Sequence, residues 1–381
     1  MHNNSVFKEI IKVLPRYKFE RMKEKLCPKE QSRGFSHWNH LMSMIYCQLS
    51  GHTSLRKLAL SFNEQYSNLY HIGVSEVNKS SLSRSNNNRD AGLFAAVLEF
   101  LVSVSGNKNG CREVLRIIDS SPIHLDAGIF GEFSKSNGRC QGAKLHLEYD
   151  ADGGYPVFFD ITPANVNDIE VVKSLKIISG ASYVFDRGYM KFDWWNELDE
   201  AKCRFVSRMQ RSVKYEIVSE NEVFGENIIS DKIITLTGDK GKKGFPKQLR
   251  LIRVRLENNK EKEIDIVSND LKSDTKTIAN LYKRRWEIEL LFKWIKQNLK
   301  IKKFMGESEN AVKIQIITAL ITFVLISLYK KNSAYKGTLS ELLIVIKTDP
   351  FRKLNHKAIF ERQRAYRKTN HNQLTLNGLF A

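Results

Sequence analysis

Three widely spaced carboxylates, Asp119, Asp186 and Glu289, are candidates for shared chemistry. Asp119 closes the apolar run Leu115–Asp119 (LRIID), and Asp186 closes Ser182–Asp186 (SYVFD). An acid ending a strand sits at the rim of a sheet, oriented yet reachable by a cation. One such acid most often caps a turn; two in one basic chain point to a site. The third lies in the segment 275–299, read as a single long helix. At about 100° per residue, with Tyr282 at zero, Arg285 falls near 300° and Glu289 near 340°. Lys293 falls near 20° and Lys296 near 320°, so five polar residues share one narrow face. Leu281, Ile288, Leu291, Phe292, Ile295 and Leu299 form the adjoining core face. Glu287 points away from both and reads as a solvated charge. A helical Glu289–Lys293 pair explains two residues of this face but not Tyr282, Arg285 and Lys296.

Such a set suits phosphodiester cleavage. Two Mg²⁺ ions about 3.5–4 Å apart activate the attacking oxygen and stabilise the leaving one. Three carboxylates suffice to hold them, because Mg²⁺ keeps several waters and takes other ligands from phosphate. Arg285 would grip phosphate as a fork and Lys296 as a point charge. Tyr282 would donate its hydroxyl to a phosphate oxygen. Lys293 and Arg187, the latter beside Asp186, are further candidate phosphate contacts. The remaining acids have simpler readings. Asp150 and Asp152 serve the turn DADGG, and Asp168 opens a helix as a cap or first-turn acid. No metal-ligand spacing supports His124 or His146.

The elements that must position these groups follow from pattern. The chain of 381 residues carries 61 Lys+Arg against 42 Asp+Glu, a net charge of +19, with 42% hydrophobic residues. That excludes a disordered chain and favours a polyanionic partner. Five isolated cysteines exclude a disulfide framework or structural zinc and point to a reducing cytoplasm. The N-terminus lacks a signal-peptide core. The apolar stretch Ile314–Leu328 includes Gln315, Thr318 and Thr322, and reads as a buried core helix, not a membrane span.

Residues 1–110 read as helical, with Trp38, Leu41, Ile45 and Leu49 on one face of a helix at 35–49. Leu55–Phe62 precedes the polar stretch Val77–Arg89, either the second element of a helix-turn-helix or a linker between packed helices. A turn cluster at Gly106–Gly110 marks a boundary. Strands follow at Leu115–Asp119, Lys144–Tyr149, Tyr155–Ile161 and Ser182–Asp186, with helices at Asn167–Ile178 and Phe192–Ala201. Residues 204–275 read as a β-rich insert. Within it Gly238–Gly244 (GDKGKKG) lacks the spacing of a phosphate-binding loop and reads as a basic hairpin turn. The tail from 331 is basic, partly helical and expected to be mobile at its end.

The spacing Tyr282, Arg285, Glu289, Lys296 resembles the Y-R-E-K pattern of bacterial insertion-sequence transposases of the number-four group, which belong to the DDE class. Ile117–Ser121 (IIDSS) resembles the segment carrying that family's first Asp, and Phe185–Tyr189 (FDRGY) the one carrying its second. The resemblance extends through Leu291–Gln297, Gly306–Lys313 and the region Phe35–Leu58. It implies an α/β fold: an RNase H-like catalytic core with a β-rich insert and a helical N-terminal DNA-binding region. It implies the division 1–110, 111–203, 204–275, 276–335 and a basic C-terminal region 336–381. It makes Asp119, Asp186 and Glu289 the catalytic, metal-binding acids, with Mg²⁺ or Mn²⁺ as cofactor, and sets Tyr282, Arg285 and Lys296 on DNA phosphates. The implied partner is double-stranded DNA, at terminal inverted repeats and at the target. The implied assembly is a homodimer in a synaptic complex, cytoplasmic, nucleoid-associated and not bound to a membrane. Family members that open a hairpin stack a flipped base on a Trp of the insert; here the insert has none, and Trp286 is the available ring. Two other readings stay open: a stand-alone nuclease of the same fold, which cuts without joining, and an inactive DNA-binding repressor of transposition.

Overall fold

The computed structural model describes residues 5–29, 34–105, 114–138, 140–223, 227–256, 259–333 and 335–353. The expected boundary at 106–110 and the end of the tail lie outside these residues. The chain divides into two compact units. One comprises Met1–Gly106, Gly128–Phe130 and Lys293–Ala381; the other comprises Asn107–Ala127 and Gly131–Phe292.

The first unit is built around the helix Glu309–Asn332, started by the Ser308 side chain, which accepts from the Ala311 N–H. It packs against Val6–Ile11, His37–Ser50, Lys79–Asn88, Ala91–Ser105 and Leu339–Thr348. By length and composition alone this helix would cross a bilayer, but every residue from 314 to 326 is buried within the protein. Its polar members are satisfied internally. Gln315 donates to the carbonyls of Lys300 (2.7 Å) and Lys303 (2.9 Å) and accepts from the Met305 N–H (3.1 Å). Thr318 and Thr322 donate to carbonyls four residues back. A buried polar group with all its partners costs little, which is how this helix carries Gln and Thr at its centre.

Helix His37–Ser50 is buried all round, where the pattern predicted one apolar face. Its polar residues find partners instead of water: Asn39 donates to Ser75 (2.7 Å) and Gln48 to the Gln315 carbonyl (3.2 Å). The polar stretch after Val77 folds as the helix Lys79–Asn88, capped by Asn78. It packs against Leu55–Asn63, but residues 64–78 separate them, far longer than the three- or four-residue turn of a helix-turn-helix.

His40 joins helix His37–Ser50 to helix Lys79–Asn88, with Nε2 2.7 Å from Asn86 Oδ1. Complete burial holds its imidazole neutral and lowers its pKa to about 3. The unfolded chain takes up a proton below about pH 6.5 that the folded chain refuses. The stability is therefore whole above that pH and lost as pH falls towards the folded value, by about 1.4 kcal/mol per unit. We expect the stability difference between wild type and His40→Gln, from urea unfolding, to narrow by that slope from pH 6.5 to 5. Parallel curves would remove His40 as the cause.

The second unit is a ten-stranded mixed sheet. Its strands are β1 Leu115–His124, β2 Lys135–Ser136, β3 Gln141–Asp150, β4 Tyr155–Pro163, β5 Ser182–Phe185, β6 Arg204–Arg208, β7 Tyr215–Glu220, β8 Ile228–Leu236, β9 Leu249–Leu256 and β10 Asn259–Ser268. β1 pairs antiparallel with β3, β3 antiparallel with β4, and β1, β5 and β6 run parallel. The order β4-β3-β1-β5-β6 is that of an RNase H-like core. β6, expected in the insert, is its fifth strand. The rest of the insert extends the same sheet through β10, which pairs antiparallel with β6, and then β9, β8 and β7.

The alternation of KLHLEY and FFDI, either side of the turn 151–154, yields β3 and β4. Asp150 Oδ1 accepts from the N–H of Asp152 and Gly153, as expected for that turn. A core of Tyr183, Phe185, Trp194, Trp195, Phe205, Phe245, Leu251 and Val267 unites β5, β6, β9, β10 and the helix Phe192–Glu200. Gly238–Gly244 is not a hairpin turn: Asp239–Gly244 forms a short helix against Phe192–Glu200. A Cβ on Gly244 would lie 2.6 Å from the Phe192 Cβ and 3.1 Å from the Asp193 nitrogen, so its glycine serves close packing. The helix expected at Asn167–Ile178 is short, Asp168–Val171, followed by a 3₁₀ turn Val172–Ser174. Beyond it the Ile178 N–H donates to the Tyr183 hydroxyl instead of continuing a helix. Cys27, Cys47, Cys140 and Cys203 are buried and unbridged; Cys111 lies outside the described residues.

Candidate active site

The parallel ladder of β1 and β5 ends at the pair Ile118↔Phe185. The next residue on each chain is an acid, Asp119 and Asp186. Asp186 closes β5 as expected, and its Oδ1 accepts from the Gly188 N–H at 2.7 Å. Asp119 does not close β1. The strand continues to His124 because it still pairs with β3, with Asp119 opposite Leu147. Asp119 therefore ends the parallel ladder and not the strand. Its Oδ1 accepts from the Ser120 N–H at 2.8 Å.

The expected long helix is two helices, Thr275–Arg284 and Trp286–Asn298. Between them the Arg285 N–H bonds to the Tyr282 carbonyl three residues back, at 3.1 Å, a tightened 3₁₀-type turn. The first helix is anchored at its start. Buried Asp231 on β8 accepts from Arg250 on β9 (2.6 Å) and from the Thr275 hydroxyl (2.6 Å), and Asp274 caps the Lys276 N–H. The strands of the insert thus hold the segment that delivers Tyr282, Arg285 and Glu289.

Arg285 connects that segment to the sheet. Its guanidinium lies 2.5 Å from Glu289 Oε1 and 3.6 Å from Asp119 Oδ2. It also lies over the Tyr282 ring at 5.7 Å and the Trp286 ring at 5.8 Å. Burial opposes its charge, but Tyr282, Glu289 and Asp119 outweigh burial and hold it protonated. Asp119 is pushed up to about 7, first by burial and then by the like charge of Asp186, against the pull of Arg285 and the Ser120 N–H. Burial also raises the Tyr282 phenol, against Arg285. Glu289, with 34% of its side chain exposed against 15% for Asp119, is the more reachable acid.

The other sequence candidates divide. Arg187 is exposed at the turn after Asp186. Lys293 is exposed and Lys296 half-buried, further along the helix that carries Glu289, within the first compact unit. Glu287 pairs with Arg284 at 2.7 Å, and Arg284 reaches Asp152 at 3.2 Å. His124 lies by Cys140, Nδ1 to Sγ 3.5 Å. His146 is buried, donating to or accepting from Thr162 at 2.9 Å. Asp168 is more than a first-turn acid: Asn167 holds the cap position, while Asp168 Oδ1 accepts from Lys144 at 2.7 Å and from the Ser120 hydroxyl at 3.0 Å. That bond joins it to the residue after Asp119. Alternation along KLHLEY gives no hint of it, since β3 is buried on both faces from Gly142 to Tyr149.

Residues 110–325, more than half the chain, match the family described as Transposase DDE domain. The chain belongs to this family. Residues 2–75, ahead of the DDE domain, match a domain of unknown function, DUF4372. Among curated relatives, y4zB of Sinorhizobium fredii, named as a transposase, is 41% identical over 220 residues, 56% of this chain and 60% of that protein. A protein of Geobacillus stearothermophilus named as a transposase for insertion sequence element IS5377 is 27% identical over 215 residues, 56% of this chain and 55% of that protein. One of Synechocystis named for element IS4SA is 25% identical over 260 residues, 66% of this chain and 72% of that protein. The aligned region thus spans somewhat over half the length of the first two relatives. Among solved structures, the piggyBac transposase synaptic complex with hairpin DNA is similar with a TM-score of 0.45 and 13% identity, covering 98% of this chain and 82% of that one.

DDE domains use divalent metal ions. The donors here fit such an ion in kind, being carboxylate oxygens, the ligands of hard cations. Among the described residues no three acids, histidines or cysteines are gathered closely enough to hold a metal ion by themselves. Instead a cation, Arg285, stands between Asp119 and Glu289, and Asp119 is raised first by burial and second by the like charge of Asp186.

Proposed function

We propose that this chain is a DNA transposase that hydrolyses phosphodiesters at the terminal inverted repeats of an insertion sequence and joins the freed 3′-hydroxyl to target DNA. The observation that carries this reading is the Arg285 bridge between Asp119, at the end of the parallel ladder, and Glu289, one helical turn on. Asp186 acts on Asp119 from the neighbouring strand. Asp119, Asp186 and Glu289 would hold Mg²⁺, or Mn²⁺ in its place, which supplies an activated oxygen nucleophile and charge for the leaving oxygen.

The chain's own residues do the rest. Arg285 presents a fixed, protonated fork that moves from carboxylate to phosphate when DNA enters. Tyr282 keeps its proton and donates to a phosphate oxygen. Arg187, Lys293 and Lys296 add phosphate contacts along the strand. Residues 1–110 recognise the repeat, 111–208 and 276–335 supply the catalytic core, 209–275 the insert, and 336–381 further basic contacts. The working assembly is a homodimer holding two ends, nucleoid-associated in the bacterial cytoplasm. With a net charge of +19, affinity for DNA should fall steeply with salt.

The test is cleavage and joining of labelled DNA carrying the repeat, in Mg²⁺ and in EDTA. Cutting and joining in Mg²⁺ alone is the expected result. Cutting without joining would make the protein a nuclease, and binding without cutting would make it a repressor.

A further inference from the structure

We propose that Asp168, held by Lys144 and Ser120, is a positioning residue that sets the spacing of the Asp119 and Asp186 carboxylates. The proposal rests on the transposase reading above.

The argument begins with where Asp168 is tied. Its Oδ1 accepts from Lys144 Nζ on β3 at 2.7 Å and from Ser120 Oγ on β1 at 3.0 Å, and His146 Nδ1 lies 3.8 Å away. Two donors converge on this oxygen, with the neutral His146 ring beside them, and leave the other free of them. That second oxygen turns to the Asp186 side: a Cβ built on Gly188 would lie 3.3 Å from Asp168 Oδ2 and 2.9 Å from Asp186 Oδ1. Asp168 therefore touches the residue next to Asp119 through one oxygen and borders the Asp186 turn with the other. No backbone ladder joins Asp119 to Asp186, because the β1–β5 pairing stops one residue earlier. The Lys144–Asp168–Ser120 linkage spans that gap.

Its energetics fit a positioning role. Lys144 has only 10% of its side chain exposed and Asp168 27%. A partly buried pair of this kind is weak evidence for stability, which leaves its place between the two strands as the ground for a positioning role. Groups that orient metal-binding carboxylates typically change metal affinity or activity by about 10–100-fold when removed. Asp168 also places negative charge beside Tyr189, whose buried phenol is held well above its usual value by burial first and then by Asp119, Asp168 and Asp186. The buried Tyr189 phenol thus keeps its proton within reach of the three aspartates' charge.

The experiment compares Mn²⁺ binding, measured by paramagnetic resonance without DNA, and strand cleavage in four proteins. These are wild type, Asp168→Ala, Asp119→Asn and the double variant Lys144→Met/Asp168→Leu. In Asp168→Ala we expect Mn²⁺ affinity to fall about 10–100-fold, cleavage to fall in step, excess Mn²⁺ to restore part of the rate, and repeat-DNA binding in EDTA to persist. The double variant removes both charges, so it should regain thermal stability but not Mn²⁺ affinity. Recovery of both together would reduce the pair to a stabilising role and overturn the proposal. So would wild-type Mn²⁺ affinity in a folded Asp168→Ala, or a loss as complete as that of Asp119→Asn, which would make Asp168 a ligand. Failure of wild type itself to bind Mn²⁺ or cut DNA would instead strike the transposase reading.

Discussion

Glu289→Gln should lower cleavage and joining by at least about 10³-fold while leaving binding to repeat-bearing DNA intact. The amide keeps the size of the carboxylate and removes its charge. Glu289 is the more exposed of the two acids around Arg285, and Arg285 contacts it at 2.5 Å. Without that charge Arg285 retains Asp119 at 3.6 Å, so the fold keeps its bridge to the sheet while the site loses one oxygen donor of three. Glu287→Gln is the control two residues away. Glu287 answers Arg284, a half-buried pair near the surface, and near-surface pairs contribute about 0–1 kcal/mol. Activity in that variant should stay within about fivefold of wild type. Measured side by side on labelled DNA in Mg²⁺, full activity in Glu289→Gln would remove Glu289 from the site.

Gly188→Ala should cost about 10²-fold in cleavage. Its added methyl would sit 2.9 Å from Asp186 Oδ1 and 3.3 Å from Asp168 Oδ2. The backbone at Gly188 cannot retreat cheaply, because its N–H is bonded to the same Asp186 oxygen at 2.7 Å. The carboxylate is therefore what moves, and displacements of about 1 Å at a reacting centre cost rates of that order. Gly238→Ala is the matched control: a Cβ there meets only Lys214 Cβ at 3.9 Å, and wild-type rates are expected. Equal rates in Gly188→Ala and wild type would show that Asp186 does not depend on this close approach.

Much of the second unit was legible because alternation and turn chemistry are local. Strands of the pattern KLHLEY, the turn DADGG and the acid-ended run SYVFD all emerge within a few residues of their expected bounds. The helical wheel separated Glu289 from Glu287, and the structure separates their partners the same way, Arg285 for one and Arg284 for the other. The wheel did not foresee the tightened turn at Arg285. Local periodicity carries no information about a guanidinium drawn towards an aspartate on a strand 166 positions earlier. Pairing produced the other departures. Asp119 looked like a strand end because LRIID stops being apolar there, yet β1 runs on since β3 continues to offer partners. Arg204–Arg208 looked like insert because it opens a β-rich run, yet parallel pairing with β5 makes it core.

The sequence by itself marked most of the strands and helices and the candidate acids, since these depend on residue chemistry and on periods of two or 3.6. It also marked the helix Glu309–Asn332 as a core helix, through the polar residues a bilayer would reject. Tertiary structure alone decided which strands are neighbours, where the parallel ladder stops, and that Asp168 stands with Asp119 and Asp186 instead of merely opening a helix. The reason is physical: those relations are set by hydrogen bonds and ion pairs between residues tens of positions apart, and no local pattern encodes which distant partner a given donor will find.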